Sequence, residues 1–412
     1  MNARVPEDIY NGTLPRIPDH VPAELVYDFD FISPRVDDPI EFWKELDRKK
    51  VPEIFFTPHN GGHWTMRRIA DVRAVMRDPE RFTNFPTGLP VQPGRPAVIP
   101  LEIDPPYHQK YRAVLAPLFT PSGVKKREGR IREVAIQLIE RVLKQGHCDF
   151  VRDVSGKMPT ALFLEFMGMP VERLEEFLVW EEDCLRGAPE KAKAASDQIV
   201  AYLAQFLKEQ AGNPGDNVTG AMLKARDAAG MPWSDEELMS ASYMLFTAGL
   251  DTVTNTMGFI WRYLANHPEA RQYITQNLDN PLRMSCIFDE LMRTNTVPTD
   301  TRRARNDTVY KGLTIKKGDN IVLAMPMANF DPEVVQDPDV VDLTRDVNPH
   351  VAFGIGDHRC LGSLLAKAEI EICLQEWLKR IPDFSIAPGA RINCWVKVIA
   401  GMDNLPLVWK AA

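Results

Sequence analysis

Apolar positions recur at helical spacing over most of the middle of the chain, from about 107 to 291. The pattern breaks at Gly146, at Gly168-Met169-Pro170, at Gly212–Gly215 and at Gly230-Met231-Pro232. One register, from about Asp235 to His267, is long enough to cross a whole domain. A second follows Cys360, with apolar residues at 361, 364, 365, 368 and 372, and predicts a helix over about 361–381. Strand-like sequence surrounds a Gly61-Gly62 turn at about 52–68 and returns at 309–323 and 396–409. The pattern therefore predicts a mainly α chain with one minor β region. Residues 1–30 hold Pro6, Pro15, Pro18 and Pro22 among acids and read as an extended arm. Residues 83–106 hold Pro86, Pro90, Pro93, Pro96 and Pro100 before Pro105-Pro106, which excludes an ordinary helix and suits a binding loop or lid.

Composition narrows the function classes. The 412 residues are 44% hydrophobic and 26% charged, which suits a chain that folds around a core. The net charge of −8 argues against a nucleic-acid partner. No apolar run approaches the roughly 20 residues that span a bilayer, and the N-terminus lacks the apolar core of a signal peptide. A soluble, cytoplasmic chain with no membrane partner is expected. The six cysteines form no Cys-x-x-Cys pair, in keeping with a reducing compartment. His59 and His63 have the spacing of a helical metal pair, but Pro58, Gly61 and Gly62 argue against a helix there.

The chemistry concentrates in Phe353-Gly354-Ile355-Gly356-Asp357-His358-Arg359-Cys360-Leu361-Gly362. Cys360 stands at the start of a predicted helix, where the dipole and nearby N–H groups favour a thiolate, and three glycines let the backbone approach something flat. Gly354 and Gly356 do not continue into a dinucleotide fingerprint, because Arg359 occupies the third glycine position. The stretch resembles the haem loop of the cytochromes P-450, whose cysteine thiolate is the axial iron ligand. Two further landmarks resemble the same family in the same order: Glu290 with Arg293, its Glu-x-x-Arg pair, and Ala248-Gly249-Leu250-Asp251-Thr252, its distal helix.

The resemblance implies a single haem domain over 1–412, helix-rich with small antiparallel sheets and haem b between the distal helix and the cysteine loop. It implies that Cys360 ligates the iron, and that Arg112, Arg302 and His358 hold the haem carboxylates with His108 as an added donor. Phe353, Gly356, Gly362 and Ala248 would line the haem. Arg345 would join Glu290 and Arg293 in holding the proximal loop. Asp251 and Thr252 would be catalytic, relaying protons to O2, the co-substrate. Gly249, together with Thr252 bonding back along the helix, is expected to open a groove for dioxygen.

Among cytochromes P-450 the chain is most similar to the bacterial camphor-hydroxylase group, through segments such as Asn60–Trp64, Lys316–Asp319, Glu376–Gly389 and Asn404–Trp409. In that group a loop tyrosine holds the camphor carbonyl, whereas 83–106 contains no tyrosine and places Pro96 there. The matched pocket positions are Val98, Leu101, Met244, Thr247, Pro298, Val398 and Ile399, with Ala248 again among them and Thr247 the polar handle. The resemblance thus implies hydroxylation of a compact alicyclic terpenoid or norisoprenoid, an ionone-like ketone before camphor. It further implies a monomer without its own flavin, fed by a [2Fe-2S] ferredoxin and an NADH-dependent ferredoxin reductase. Arg73, Lys110, Arg359 and Lys367 are candidates for the ferredoxin patch. The alternatives are a peroxide-driven haem-thiolate hydroxylase and a non-catalytic haem sensor.

Overall fold

The computed structural model describes residues 17–92 and 94–411, without the side chain of Pro34. The first half of the predicted arm thus lies outside the described residues; the rest runs extended apart from one short turn at Ala23–Leu25. Helices account for 51% of the described residues.

The central helix spans Asp235–Asn266, within a residue of the expected register. Ser234 caps it: its hydroxyl accepts from the Glu237 N–H, while the Glu237 carboxylate accepts from the Ser234 N–H. Glu237 also accepts from Lys110 Nζ at 2.6 Å and from the Tyr111 hydroxyl at 2.7 Å, which pins the helix His108–Leu115 to the start of the central helix. The helix after the cysteine runs Ser363–Arg380 and packs mainly against Glu128–Leu143. Phe150 stacks on Trp261 at 4.6 Å, and Trp377 meets both edge-on, so the two long helices share one aromatic core.

The β structure departs from the expectation in three ways. Strands Ile54–Thr57 and His63–Met66 form a hairpin, but His63–Met66 then pairs parallel with Asn320–Leu323, in a five-stranded sheet that also holds Asp300–Ala304 and Phe82–Thr83. Residues 396–409 do not join that sheet. They divide between a three-stranded sheet with Ser33–Val36 and another with His147–Asp149 and Ser385–Ile386. His147–Asp149 is moreover a strand inside the stretch read as helical. Strands of two to four residues carry too little alternation to be read from pattern alone. The hairpin Thr308–Tyr310 with Leu313–Ile315 turns on Lys311 and Gly312, both at positive φ, as a tight two-residue turn demands.

Candidate active site

The backbone folds the cysteine loop onto itself before any side chain acts. The Cys360 N–H donates to the Phe353 carbonyl at 2.8 Å, and Gly354 and Gly356 take φ of +62° and +72°. A Cβ on Gly356 would stand 3.0 Å from the Met76 carbonyl oxygen, so the helix Ile69–Met76 also requires glycine there. Cys360 is exposed among the described residues, although protein atoms crowd around its sulfur. Burial pushes its thiol pKa up, opposed by the Gly362 N–H and by the charges of Arg112 and Arg359. The expected thiolate-favouring contacts are present, but in the protein alone burial outweighs them. Coordination to a metal would remove the proton outright.

Around the loop lie basic groups with bonding capacity to spare. The His108 and His358 rings are 4.4 Å apart, and both nitrogens of His108 and Nε2 of His358 are buried without a partner. Burial, with the nearby His108, Arg302 and Arg112, lowers the His358 pKa to about 3; burial and Arg112 also lower that of His108. Arg112 Nη2 donates to the Arg359 carbonyl at 3.0 Å. Arg302 is buried and pairs with Asp300 at 2.8 Å.

Below the loop, Arg293 and Glu290 are fully buried and joined by two bonds of 2.9 and 2.8 Å. Arg293 also donates to the carbonyls of Asn329, Pro338 and Val340, while Glu290 accepts from the Asp342 N–H. Arg345 Nε stands 3.6 Å from Glu290, an ion pair without a hydrogen bond.

On the central helix, Thr252 Oγ1 donates to the Ala248 carbonyl at 3.1 Å, one turn back, as expected. Thr254, Asn255 and Thr256 also bond back by four residues, so the ladder is loaded over a whole turn. A Cβ on Gly249 would meet the Phe163 ring at 3.0 Å, so the missing side chain also admits an aromatic ring. Asp251 is buried and accepts from Arg186 at 2.6 Å. Burial raises the Asp251 pKa, while Arg186, Asn255 and Lys397 oppose the rise. Leu361 and Leu365 pack on the cluster that contains Phe246 and Leu250, which brings the cysteine loop under the middle of this helix.

The comparisons decide the family. The cytochrome P450 family description matches residues 177–386. A probable cytochrome P-450 127A1 of Sinorhizobium fredii is 33% identical, over 95% of this chain and 97% of its own. The chain belongs to the cytochrome P-450 family. A vitamin D(3) 25-hydroxylase of Pseudonocardia autotrophica is 27% identical, over 97% of this chain and 96% of its own. The solved structure of CYP101J2 superposes with a TM-score of 0.86 at 29% identity, covering 96% of this chain and all of that one. The protein is therefore a P-450 monooxygenase.

The residues suit the haem that the family implies: an exposed cysteine, with unpaired buried imidazoles and two arginines near it to meet two carboxylates. The seven pocket positions are all half-buried in this P-450. Pro298 and Ile399 form an isolated bridge, and the Thr299 N–H donates to the Val398 carbonyl at 2.8 Å, so three of the seven lie on two adjacent segments. Thr247 differs from expectation, since its hydroxyl donates to the Tyr243 and Met244 carbonyls of its own helix. It offers a ligand an acceptor, not a donor for a ketone. Of the four candidate partner cations, Lys110 is taken by Glu237, and Lys367 bonds Ser285 and lies near Glu371. His59 pairs with Asp28 and His63 is buried in its strand, so the two do not form a metal pair.

Sequence reasoning missed Arg186 and Lys397. Arg186 Nη2 reaches Asp251 across 65 positions, and Lys397 Nζ donates to the Leu185 carbonyl at 2.9 Å. Both cations lie over the Trp395 ring, at 5.3 and 5.7 Å. No local pattern marks either one. Among the described residues no helix is long and apolar enough to cross a membrane.

Proposed function

We propose that the chain is a single haem domain that hydroxylates a small apolar alicyclic terpenoid or norisoprenoid, with an ionone-like ketone preferred over camphor. The observation that carries the reading is the unpaired, buried His108–His358 pair beside an accessible Cys360. Cys360 Sγ would ligate the iron, while Arg112, Arg302, His108 and His358 would meet the two haem carboxylates. Phe353, Gly356, Gly362 and Ala248 would border the ring. Haem b, when bound, supplies the iron at which O2 is reduced, and thiolate ligation favours O–O cleavage.

The protein's own residues manage protons and substrate. Thr252 Oγ1 spends its proton on the Ala248 carbonyl, which leaves its lone pairs to order a water or hydroxyl beside it. The Asp251 carboxyl, whose pKa burial raises and Arg186 opposes, takes protons and passes them toward Thr252. Half-buried apolar residues bind the substrate by excluding water. The vitamin D(3) 25-hydroxylase among the relatives supports an apolar substrate class. Electrons come from a [2Fe-2S] ferredoxin and its NADH-dependent reductase. Support for that partner is the placing of Arg73 on the helix packed against the cysteine loop and of Arg359 within it, neither ion-paired among the described residues.

The ferric holoprotein titrated with α-ionone, β-ionone and camphor should show a low- to high-spin shift with the ionones. A shift with camphor alone overturns the substrate preference. Thr252→Ala should keep haem and NADH consumption while product per NADH falls by about tenfold or more. An unchanged yield removes the assigned role. Cys360→Ala should abolish the thiolate-type spectrum, and its persistence would refute the ligand.

A further inference from the structure

Among the described residues of 83–106 there is no helix, and one side chain does the work a helix would do. The Glu102 side chain is wholly buried. Its Oε1 accepts from the Thr87 N–H at 2.6 Å, the Thr87 hydroxyl at 2.8 Å and Arg95 Nη2 at 2.5 Å. Its Oε2 accepts from Arg95 Nη1 at 2.6 Å and the Val98 N–H at 2.8 Å. Arg95 completes the knot by donating to the carbonyls of Thr87 and Pro96. Two limbs of the loop, at 87 and at 95–98, are thereby gathered on one carboxylate.

The same knot fixes Val98 from both sides, because the Glu102 N–H donates back to the Val98 carbonyl at 2.7 Å. Immediately beyond, Ser240 ties the loop to the central helix: its hydroxyl accepts from the Ile99 N–H at 3.0 Å and donates to the Ala97 carbonyl at 2.9 Å. Ser240 is one turn before Met244. The distance between the Val98–Leu101 wall and the Met244–Thr247 wall is therefore set by Glu102 on one side and Ser240 on the other.

We infer that Glu102, clamped by Arg95, is a specificity-determining positioning residue, which fixes how large a molecule fits between the proline-rich loop and the central helix. The inference rests on the reading above that Val98 and Leu101 wall the substrate pocket. A charged carboxylate is required because all five donors point at it. An amide in its place would turn an NH2 group toward an N–H or a guanidinium and release one limb.

The test uses iron-binding azoles, so that it does not depend on knowing the substrate. Imidazole is too small to reach the loop, whereas 4-phenylimidazole extends from the iron toward it. In Glu102→Gln holoenzyme, the imidazole Kd should stay within about twofold of wild type while the 4-phenylimidazole Kd changes by about tenfold or more, as expected for losing a charge-assisted bond. Arg95→Met should move the ratio of the two constants in the same direction, and Arg95→Lys should recover part of it; this pair decides the matter if Glu102→Gln fails to bind haem. A ratio that stays at the wild-type value in these variants overturns the inference, whether or not both constants weaken together. Absence of any azole shift in the wild type would instead overturn the haem reading, and this inference with it.

Discussion

On the cysteine side, Glu290 and Arg293 sit three residues apart on one helix, both fully buried, and lock the chain around 329–342. On the opposite side, Asp251 is met by Arg186, and the 97–99 segment by Ser240, across separate elements and from groups that remain partly in reach of water. The first arrangement is closed around a pair of fully buried charges. The second is a set of single stitches between a loop, the end of the helix Leu174–Arg186 and the turn near Lys397. A rigid floor thus faces a wall that can be released one bond at a time, which suits an enzyme whose metal ligand stays fixed while substrates enter and leave.

The contrast can be broken from either side. Arg293→Met should have the largest effect: it leaves Glu290 buried without its main partner and should cost about 3–5 kcal/mol of unfolding free energy. Urea denaturation would read it, and a loss below about 1 kcal/mol would show that the floor does not depend on the pair. On the other side, Arg186→Gln should leave stability nearly intact but act on proton handling. Burial raises the Asp251 pKa and Arg186 pulls it down, so removing the guanidinium raises it further. The acid limb of product formed per NADH should move to higher pH by about one unit or more. Arg186→Lys should return it most of the way, and an unmoved profile would detach Asp251 from that limb. The smallest effect belongs to Thr247→Val. Because the hydroxyl proton is spent within the helix, ionone Kd values should change by less than about threefold, well under the loss of a direct hydrogen bond. A larger change would restore Thr247 as a carbonyl anchor.

The cysteine side was readable because its partners are close in sequence. Glu290 and Arg293 are neighbours on a helix face, and the 353–362 loop is contiguous, so spacing alone brings the groups together. The central helix was readable for the same reason: its pattern spans Asp235–Asn266 without a break. The stitches were not. Arg186 ends an ordinary amphipathic helix, Lys397 lies in a turn between short strands, and neither stands out from other surface-type cations. Glu102 left a faint trace, as one of two acids with a lone arginine among prolines and apolar residues, but the trace does not say that they meet. Nor did Gly249 show that Phe163 packs on it, because a glycine signals close approach without naming what approaches.

The tie at Ser240 bears on exchanging parts between relatives. The knot on Glu102 draws its donors from 87–98 only, so the loop carries its own organiser and would travel as a cassette. Its seams lie elsewhere: at Ser240, at Thr301, whose hydroxyl accepts from the Gly88 N–H, and at Arg305, which pairs with Asp104. A chimaera that imports a foreign loop but keeps these three hosts should seat it in register, whereas one spliced between 88 and 101 would separate the carboxylate from the limbs it gathers.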